Sequence, residues 1–345
     1  MIVTCLLRTD TSIIFFERIT FYLKMIKDHF RTAFTISVLQ TTTWFCNKYV
    51  LTELGFKYPM VFQGWQTLVG FIVLRMWTSS YLPLNLRLKK SITPLDKPGF
   101  VSLFPFFLFF TASLITGSKA LSVISITEFA VGCTFVPAGI FLISERKNFC
   151  VQQVASVIVT TTSLIFGVYG FFFRTTEDGF YSPYFWLLIH IVCLLAASLH
   201  SRICDARYMA IDRLYYGYVF SFIVLAPASI YLEEAFEALN FQHRRQMSFL
   251  LGSLVSGVSG AGLNAYICNF CKSPPSGIIA HVGTMVCVVG SWIVFSQAQL
   301  PNWAWILVAV NLVSHLLVPT YYGSEDEDEA SHSGDDELDK EVLLA

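Results

Sequence analysis

Ten stretches of mostly apolar residues follow one another along the chain, separated by polar links. A helix needs about 20 apolar residues to cross the hydrocarbon core of a bilayer. The predicted spans are residues 32–53, 58–78, 100–121, 123–144, 151–172, 181–200, 214–232, 247–269, 275–296 and 301–322. The pattern therefore predicts an all-α polytopic membrane protein with ten transmembrane helices.

The composition supports this class. Of the 345 residues, 54% are hydrophobic and only 14% are charged, whereas soluble domains are about 25% charged. This excludes a soluble enzyme and a module that binds nucleic acid. The lipid bilayer is therefore the first expected partner of the chain.

Charge divides the chain into a basic body and an acidic tail. Residues 323–345 hold 10 of the 24 acidic residues and one of the 23 basic ones. We expect a cytosolic N-terminal segment at 1–31, a membrane domain at 32–322 and an acidic disordered cytosolic tail at 323–345. Since no small-residue cleavage site follows the first 30 residues, we do not expect a removed signal peptide.

Basic residues also predict the orientation. With both termini in the cytosol, 17 basic residues lie in cytosolic segments and six on the opposite side, as the positive-inside rule requires. Ten spans divide into five plus five, and a duplicated half with an odd number of spans must be inverted. We therefore expect two inverted five-helix repeats.

A few polar side chains interrupt the predicted spans, and each has two readings. Such groups mark a water-filled cavity or act as hydrogen-bonding contacts between helices. They are Asn47, Lys48, Gln63, Gln66, Glu128, His190, Asn264, His281 and His315. A carboxylate in hydrocarbon needs a partner, and Lys119 is the candidate partner of Glu128. Tyr215, Tyr216 and Tyr218 suit either an interfacial aromatic belt or stacking on a nucleobase.

Catalytic signatures are absent from the sequence. It has no phosphate-binding loop, nucleophile elbow or zinc-protease motif, and the predicted spans contain no Asp. We therefore expect neither an enzyme nor a cofactor or metal. A secondary transporter, a channel and a non-transporting membrane protein remain.

Several motifs resemble the nucleotide-sugar transporters of the drug/metabolite transporter superfamily, including the Golgi GDP-mannose transporters. The resemblance covers about residues 35–320 and rests on Asn47-Lys48-Tyr49-Val50-Leu51, Tyr58-Pro59, Phe62-Gln63-Gly64-Trp65-Gln66-Thr67-Leu68, Gly117-Ser118-Lys119-Ala120-Leu121, and Tyr184-Phe185-Trp186 with His190. It implies a Golgi membrane protein, with the endoplasmic reticulum as the alternative, that exchanges a cytosolic nucleotide sugar for a lumenal nucleoside monophosphate. For the branch that the chain resembles most, the implied cargo is UDP-N-acetylglucosamine. A homodimer stays open.

The chain departs from the GDP-mannose pattern at three places. Tyr215-Tyr216-Gly217-Tyr218 stands where that branch has Phe-Tyr-Asn-Asn, and Ala280-His281-Val282-Gly283-Thr284 where it has Gly-Ala-Leu-Asn-Lys. His190 replaces an Asn. These changes weigh against GDP-mannose and leave Lys119 and His281 as candidates for the cation that binds phosphate.

Ten residues make up the expected substrate site. Tyr216, Tyr218 and His190 are expected at the nucleoside, and Asn264, His281 and Thr284 at the phosphates or the sugar. Asn47, Lys48, Lys119 and Tyr215 complete the set. The alternatives are the same fold with GDP-mannose, GDP-fucose or UDP-xylose, and a membrane scaffold that has lost transport.

Overall fold

A computed structural model describes residues 30–78, 92–144, 151–173, 183–204, 207–270, 274–295 and 300–318. In this part of the chain every regular element is a helix. Helix α1 covers residues 30–48 and continues into a π-helical turn at Tyr49–Glu53. The others are α2 (Pro59–Thr78), α3 (Lys97–Val123), α4 (Ile126–Ser144), α5 (Val151–Phe173), α6 (Pro183–Ile203), α7 (Ala210–Tyr231), α8 (Glu234–Leu239), α9 (Met247–Phe270), α10 (Pro274–Val294) and α11 (Asn302–His315).

Each predicted span overlaps one long helix of the structure. Six helices are long and apolar enough to cross a membrane: α3, α4, α5, α6, α7 and α9. The part of α10 at His281–Val294 is apolar but shorter. The prediction of an all-α, multi-pass membrane protein is supported at this level. The count of ten spans and the inverted repeat stay predictions, and the expected 1–31 segment and 323–345 tail fall almost wholly outside the described residues.

The helices pack in pairs around a shared centre. Helix α3 packs along α6, α2 lies between α7 and α9, and α5 lies between α4 and α11. Apolar clusters fill these junctions, for example Val73, Leu74 and Leu214 between α2 and α7. Many large apolar side chains point outward, among them Trp292 and Ile293 on α10, which are 64% and 72% exposed. Outward apolar surface is expected of a bundle surrounded by lipid.

The helices differ from the predicted spans in several places, of which three matter here. Helix α7 begins at Ala210, four residues before the expected start, so a buried Asp212 lies in its first turn. Asp212 accepts hydrogen bonds from the main-chain N–H of Met209 (3.1 Å) and the hydroxyl of Thr93 (2.9 Å), and so stabilises the helix start. Asp212 thus lies outside the predicted span 214–232 but inside helix α7. Helix α8 was not expected, and α11 ends at His315.

Asp96 begins α3 in a similar way, outside the apolar segment. Its carboxylate accepts a hydrogen bond from the N–H of Gly99 (2.7 Å) and one from the hydroxyl of Tyr208 (2.8 Å). These two bonds, the first above all, hold the pKa of Asp96 below its ordinary value, and an ion pair with Arg207 at 3.1 Å adds to them. These contacts fix the start of α3.

Asn311 joins three helices away from the centre. It lies on α11 with no exposed surface. Its amide nitrogen donates to the carbonyl of Val159 (3.2 Å) and the hydroxyls of Thr162 and Ser163 (both 2.9 Å) on α5. Its amide oxygen accepts from Thr134 of α4 at 2.9 Å. A single side chain thus ties α4, α5 and α11 together.

Candidate functional site

A cavity of about 400 Å³ lies at the centre of the bundle. Residues of α1, α2, α3, α4, α6, α7, α9, α10 and α11 line it. Its volume falls in the range of about 300–1,000 Å³ that is typical of small-molecule sites. A cavity that nine helices enclose can change shape when helices move relative to one another.

Six of the ten residues predicted for the site line this cavity. They are Asn47, His190, Tyr218, Asn264, His281 and Thr284. They come from five helices and are up to 237 positions apart in sequence. The fold therefore brings together the polar side chains that interrupt separate apolar segments.

The other four predicted residues are not among those lining the cavity. Lys48 is buried, and its ammonium donates to the carbonyls of Leu121 (3.0 Å) and Ile124 (2.9 Å) at the end of α3. The ammonium of Lys119 lies 4.4 Å from the centre of the Trp186 ring. These lysines therefore occupy the junctions between helices.

Of the three adjacent tyrosines, only Tyr218 lines the cavity. The hydroxyl of Tyr216 donates to the carbonyl of Thr93 at 2.8 Å, and the ring of Tyr215 packs against Phe71. Successive residues of a helix are rotated by about 100°. Positions 216 and 218 thus lie on opposite sides of α7, and Tyr218 is the one that faces the cavity.

Glu128 is fully enclosed beside the α3–α4 turn. One carboxylate oxygen accepts from the hydroxyl of Tyr184 (2.7 Å), and the other accepts from the N–H (2.8 Å) and the hydroxyl (2.9 Å) of Ser125. Its negative charge also attracts the ammonium of Lys48. Glu128 therefore belongs to the structural junction of α1 with the α3–α4 turn.

An amide–hydroxyl cluster forms one part of the cavity wall. The amide nitrogen of Gln66 donates to the amide oxygen of Asn47 at 2.7 Å, and Ser256 hydrogen-bonds to both side chains. These residues come from α1, α2 and α9. Amides and hydroxyls can both donate and accept, as is needed to bind sugar hydroxyls or an acetamido group.

Tyr218 and Asn264 form a second polar group of the wall. The amide nitrogen of Asn264 donates to the tyrosine hydroxyl at 2.9 Å. The tyrosine ring packs edge-on against Phe110, and a Cβ at Gly70 would come within 3.1 Å of it. The absence of a side chain at Gly70 therefore lets α2 approach the ring closely.

His190 is fixed on the wall by α3 and α4. Its Nδ1 lies 2.8 Å from the carbonyl of Ser113 and donates to it, and its ring stacks on Phe129 at 5.2 Å. A Cβ at Gly117 would lie only 2.6 Å from the histidine ring. The glycine in the predicted Gly117-Ser118-Lys119 motif is thus needed for the position of His190.

We expect the Gly117→Ala variant to be destabilised by about 1–3 kcal/mol, because the added methyl group must displace the imidazole. The measurement is thermal unfolding of the purified protein in detergent. Gly167→Ala on α5 is the matched control, since nothing lies within 4 Å of its added Cβ. That control should unfold at or above the wild-type temperature. Equal unfolding temperatures for the two variants would contradict this account of His190.

The rings of His281 and His315 lie next to each other in the cavity wall. Their ring centres are 3.5 Å apart. Beside them, the amide of Gln40 donates to the hydroxyl of Thr284 at 3.1 Å. Together with His190, these two histidines are the basic side chains of the wall, because none of the described lining residues is Lys, Arg, Asp or Glu.

The sequence prediction of the site missed Gln40, Gln66, Ser113, Ser256 and His315. Gln66 and His315 stood out as polar groups inside predicted spans but were not assigned to the site. Gln40 gave the same signal within the first span. Ser113 contributes a main-chain carbonyl, which no side-chain pattern reveals. As for metals, no group of three or more ligating side chains occurs among the residues that the structure describes.

Comparisons with known proteins agree with the transporter-like motifs. No model of a known protein family matches the chain. The chain is 29% identical over 218 residues to the UDP-N-acetylglucosamine transporter TMEM241 of Mus musculus, covering 62% of this chain and 69% of the relative. It is 27% identical over 234 residues to the UDP-N-acetylglucosamine transporter TMEM241 homolog of Xenopus laevis, covering 66% and 74%.

A solved crystal structure shares the fold. It superposes with a TM-score of 0.50 over 84% of this chain and 95% of its own chain, at 14% identity. At that identity the likeness concerns the arrangement of helices alone. The chain is thus a multi-pass helical membrane protein whose curated relatives are named as transporters.

Proposed function

We propose that this protein is a nucleotide-sugar transporter of the drug/metabolite transporter superfamily, and that UDP-N-acetylglucosamine is its cargo. The observation that carries the proposal is the central cavity, whose wall combines apolar surface with many polar side chains and has no Lys, Arg, Asp or Glu among the described residues. Polar side chains gathered around a cavity inside an apolar bundle fit a hydrophilic cargo that must be shielded from lipid. The names of the two relatives favour this sugar nucleotide over GDP-mannose or GDP-fucose.

The two ends of the cargo match different parts of the wall. Tyr218 and His190 supply rings and hydrogen-bonding groups suited to a base and a ribose, with Asn264 bound to the tyrosine hydroxyl. The cluster of Asn47, Gln66 and Ser256 is suited to the sugar, because its hydroxyl and acetamido groups need both donors and acceptors. Tyr216 is left out of the proposed site, since its hydroxyl is bound to Thr93.

Transport would follow by alternating access, in which two groups of helices move against each other and open the cavity to one side of the membrane at a time. A lumenal nucleoside monophosphate would occupy the nucleoside part of the same cavity on the return step, so that import and export are coupled without ATP. The proposed location is the Golgi membrane, with both termini cytosolic. In that orientation the α3–α4 turn, held by Lys48, is lumenal, and this contact would help to close the lumenal side.

Exchange in proteoliposomes tests the proposal. Vesicles that contain the purified protein and internal UMP should take up labelled UDP-N-acetylglucosamine, and empty vesicles should not. A panel of unlabelled GDP-mannose, GDP-fucose and UDP-xylose then measures competition. If no nucleotide sugar entered the vesicles and none stabilised the protein, this would contradict transport and favour a scaffold. Uptake of GDP-mannose alone would contradict the assigned cargo.

The double variant Tyr218→Ala, His190→Ala tests the proposed nucleoside site. We expect its uptake to fall by at least about tenfold, since the loss of a stacking ring and its hydrogen bonds exceeds about 1.4 kcal/mol. Tyr231→Ala is the matched control, because this tyrosine lies on the same helix and is 86% exposed. Unchanged uptake by the double variant would remove these two residues from the site.

A further inference from the structure

The two adjacent histidines of the cavity have an unusual environment. His281 on α10 and His315 on α11 are 4% and 3% exposed, and their ring planes are tilted by 45° at a centre-to-centre distance of 3.5 Å. Nε2 of His281 lies 3.3 Å from the carbonyl of Val318. Nδ1 of His315 is buried and has no hydrogen-bond partner in the described structure. A buried polar atom without a partner at a cavity wall indicates a place for a ligand.

No charged side chain compensates for this pair in the described structure. Helix α1 presents Gln40, and α4 presents Cys133 and Thr134 to the cavity. Helix α5 presents Thr162 and Ser163, which are bound to α11. The turn after α11 adds a main-chain carbonyl. Among the described cavity-lining residues of α1, α4, α10 and α11, Cys133 is the one titratable group besides His281 and His315.

A nucleotide sugar would bring a doubly charged diphosphate into this cavity. Burying an anion without a counter-charge is costly, and the wall offers no Lys or Arg among its described residues. Histidine is the side chain that changes its charge near neutral pH. His190 is already committed through Nδ1 to the carbonyl of Ser113, whereas His315 has a free ring nitrogen.

We propose that His281 and His315 form the diphosphate subsite of the cavity and that the pair takes up a proton when the diphosphate binds. This inference rests on the proposed transport of a nucleotide sugar. A protonated imidazole donates from both ring nitrogens. One donor of the pair can then stay with the Val318 carbonyl while others reach phosphate oxygens. The bound anion supplies the negative charge that offsets the proton.

The sign of the pH dependence follows from this proton uptake. Because the protonated pair binds the anion, affinity should be highest at low pH and should fall as the pH rises. Uptake of one proton changes the Kd by at most about tenfold per pH unit. We expect the Kd for UDP-N-acetylglucosamine to rise by about tenfold or more between pH 6 and pH 8.

The choice of ligands separates titration of the protein from titration of the ligand. A monophosphate gains a negative charge with a pKa near 6, whereas the diphosphate of a nucleotide sugar is esterified at both ends and lacks that ionisation. Binding of UDP-N-acetylglucosamine is therefore compared with binding of uridine, which has no phosphate. Both are measured by ligand-dependent thermal stabilisation of the purified full-length protein at pH 6, 7 and 8.

The double variant His281→Gln, His315→Gln is expected to bind UDP-N-acetylglucosamine at least about tenfold more weakly than wild type at pH 6. Its remaining binding should not vary with pH, and its uridine binding should equal that of wild type. His243→Gln in the link between α8 and α9 is the matched control, since this histidine is not among those lining the cavity. A pH dependence that survives in the double variant would overturn the proposal, as would unchanged affinity.

One further variant and one further probe keep the proposal testable if folding or transport fails. If the double variant does not fold, His315→Gln alone should lower the affinity at pH 6 and leave uridine binding intact. If wild type binds no nucleotide sugar, the proposed function fails, and inorganic pyrophosphate becomes the probe at one fixed pH. Stabilisation of wild type but not of the variant by pyrophosphate would then uphold the anion subsite, and equal responses would reject it.

Discussion

Replacing Lys48 by Met should lower the free energy of unfolding by about 3 kcal/mol and should sharply reduce exchange in proteoliposomes. The lysine is 2% exposed, and its ammonium donates to the carbonyls of Leu121 and Ile124. Without it, two carbonyl oxygens lose a charged donor and the attraction between positions 48 and 128 disappears. Removing one member of a buried charged pair costs about 3–5 kcal/mol.

Thermal unfolding in detergent and nucleotide-sugar exchange measure the two effects of Lys48→Met separately. Lys57→Met is the matched control, because Lys57 is an exposed lysine in the link between α1 and α2. We expect the control to unfold and transport like wild type. If Lys48→Met were as stable as the control, the bonds to α3 would not hold the junction together. If Lys48→Met exchanged substrate normally, this junction would not contribute to closing the cavity.

Replacing Asn311 by Leu should destabilise the protein by about 2–4 kcal/mol while changing the apparent affinity for the cargo little. The substitution removes four hydrogen bonds that join α11 to α4 and α5. Bonds between helices in membranes are worth about 0.6 kcal/mol each on average, and a buried group left without a partner adds to the loss. Asn311 does not belong to the residues that line the cavity, so ligand contacts are retained.

Asn302→Leu at the exposed start of the same helix is the control for Asn311→Leu. Thermal unfolding should separate the two variants clearly. Concentration dependence of uptake, corrected for folded protein, should give similar half-saturation values for both. A large change in half-saturation for Asn311→Leu would show that the contacts among α4, α5 and α11 also shape the cavity.

Much of the helical pattern can be predicted from the sequence because lipid imposes a length and a polarity on each span. Residues 247–269 were predicted for the eighth span and Met247–Phe270 is helical. Boundaries fail where a polar residue finds partners that the hydropathy pattern does not show. Asp212 accepts from the N–H of Met209 at the start of α7 and from the hydroxyl of Thr93, a residue 119 positions away, so hydropathy alone placed the start too late.

The candidate site was predictable in part, for a physical reason. A polar residue inside an apolar span must either line a cavity or find a partner, and the sequence does not distinguish these outcomes. His281 and Asn264 line the cavity, whereas Lys48 binds carbonyl groups at a helix end. Main-chain carbonyl oxygens that accept such hydrogen bonds have no signature in the sequence. The contact between positions 281 and 315 likewise depends on how α10 and α11 cross.

Tyr216 could have been set aside by helical geometry alone. Two positions along a helix correspond to a rotation of about 200°, so Tyr216 and Tyr218 point away from each other. The three tyrosines therefore do not form one surface of α7. The structure places Tyr218 in the cavity and Tyr216 against Thr93.

The junction between α1 and the α3–α4 turn has a consequence for how mutations should act on it. Both acceptors of the Lys48 ammonium are main-chain oxygens, and these remain when the side chains of Leu121 or Ile124 are exchanged. This contact therefore depends on one side chain, that of residue 48. Mutational scanning should find broad tolerance at the two acceptor positions toward apolar residues of similar size, and almost none at position 48.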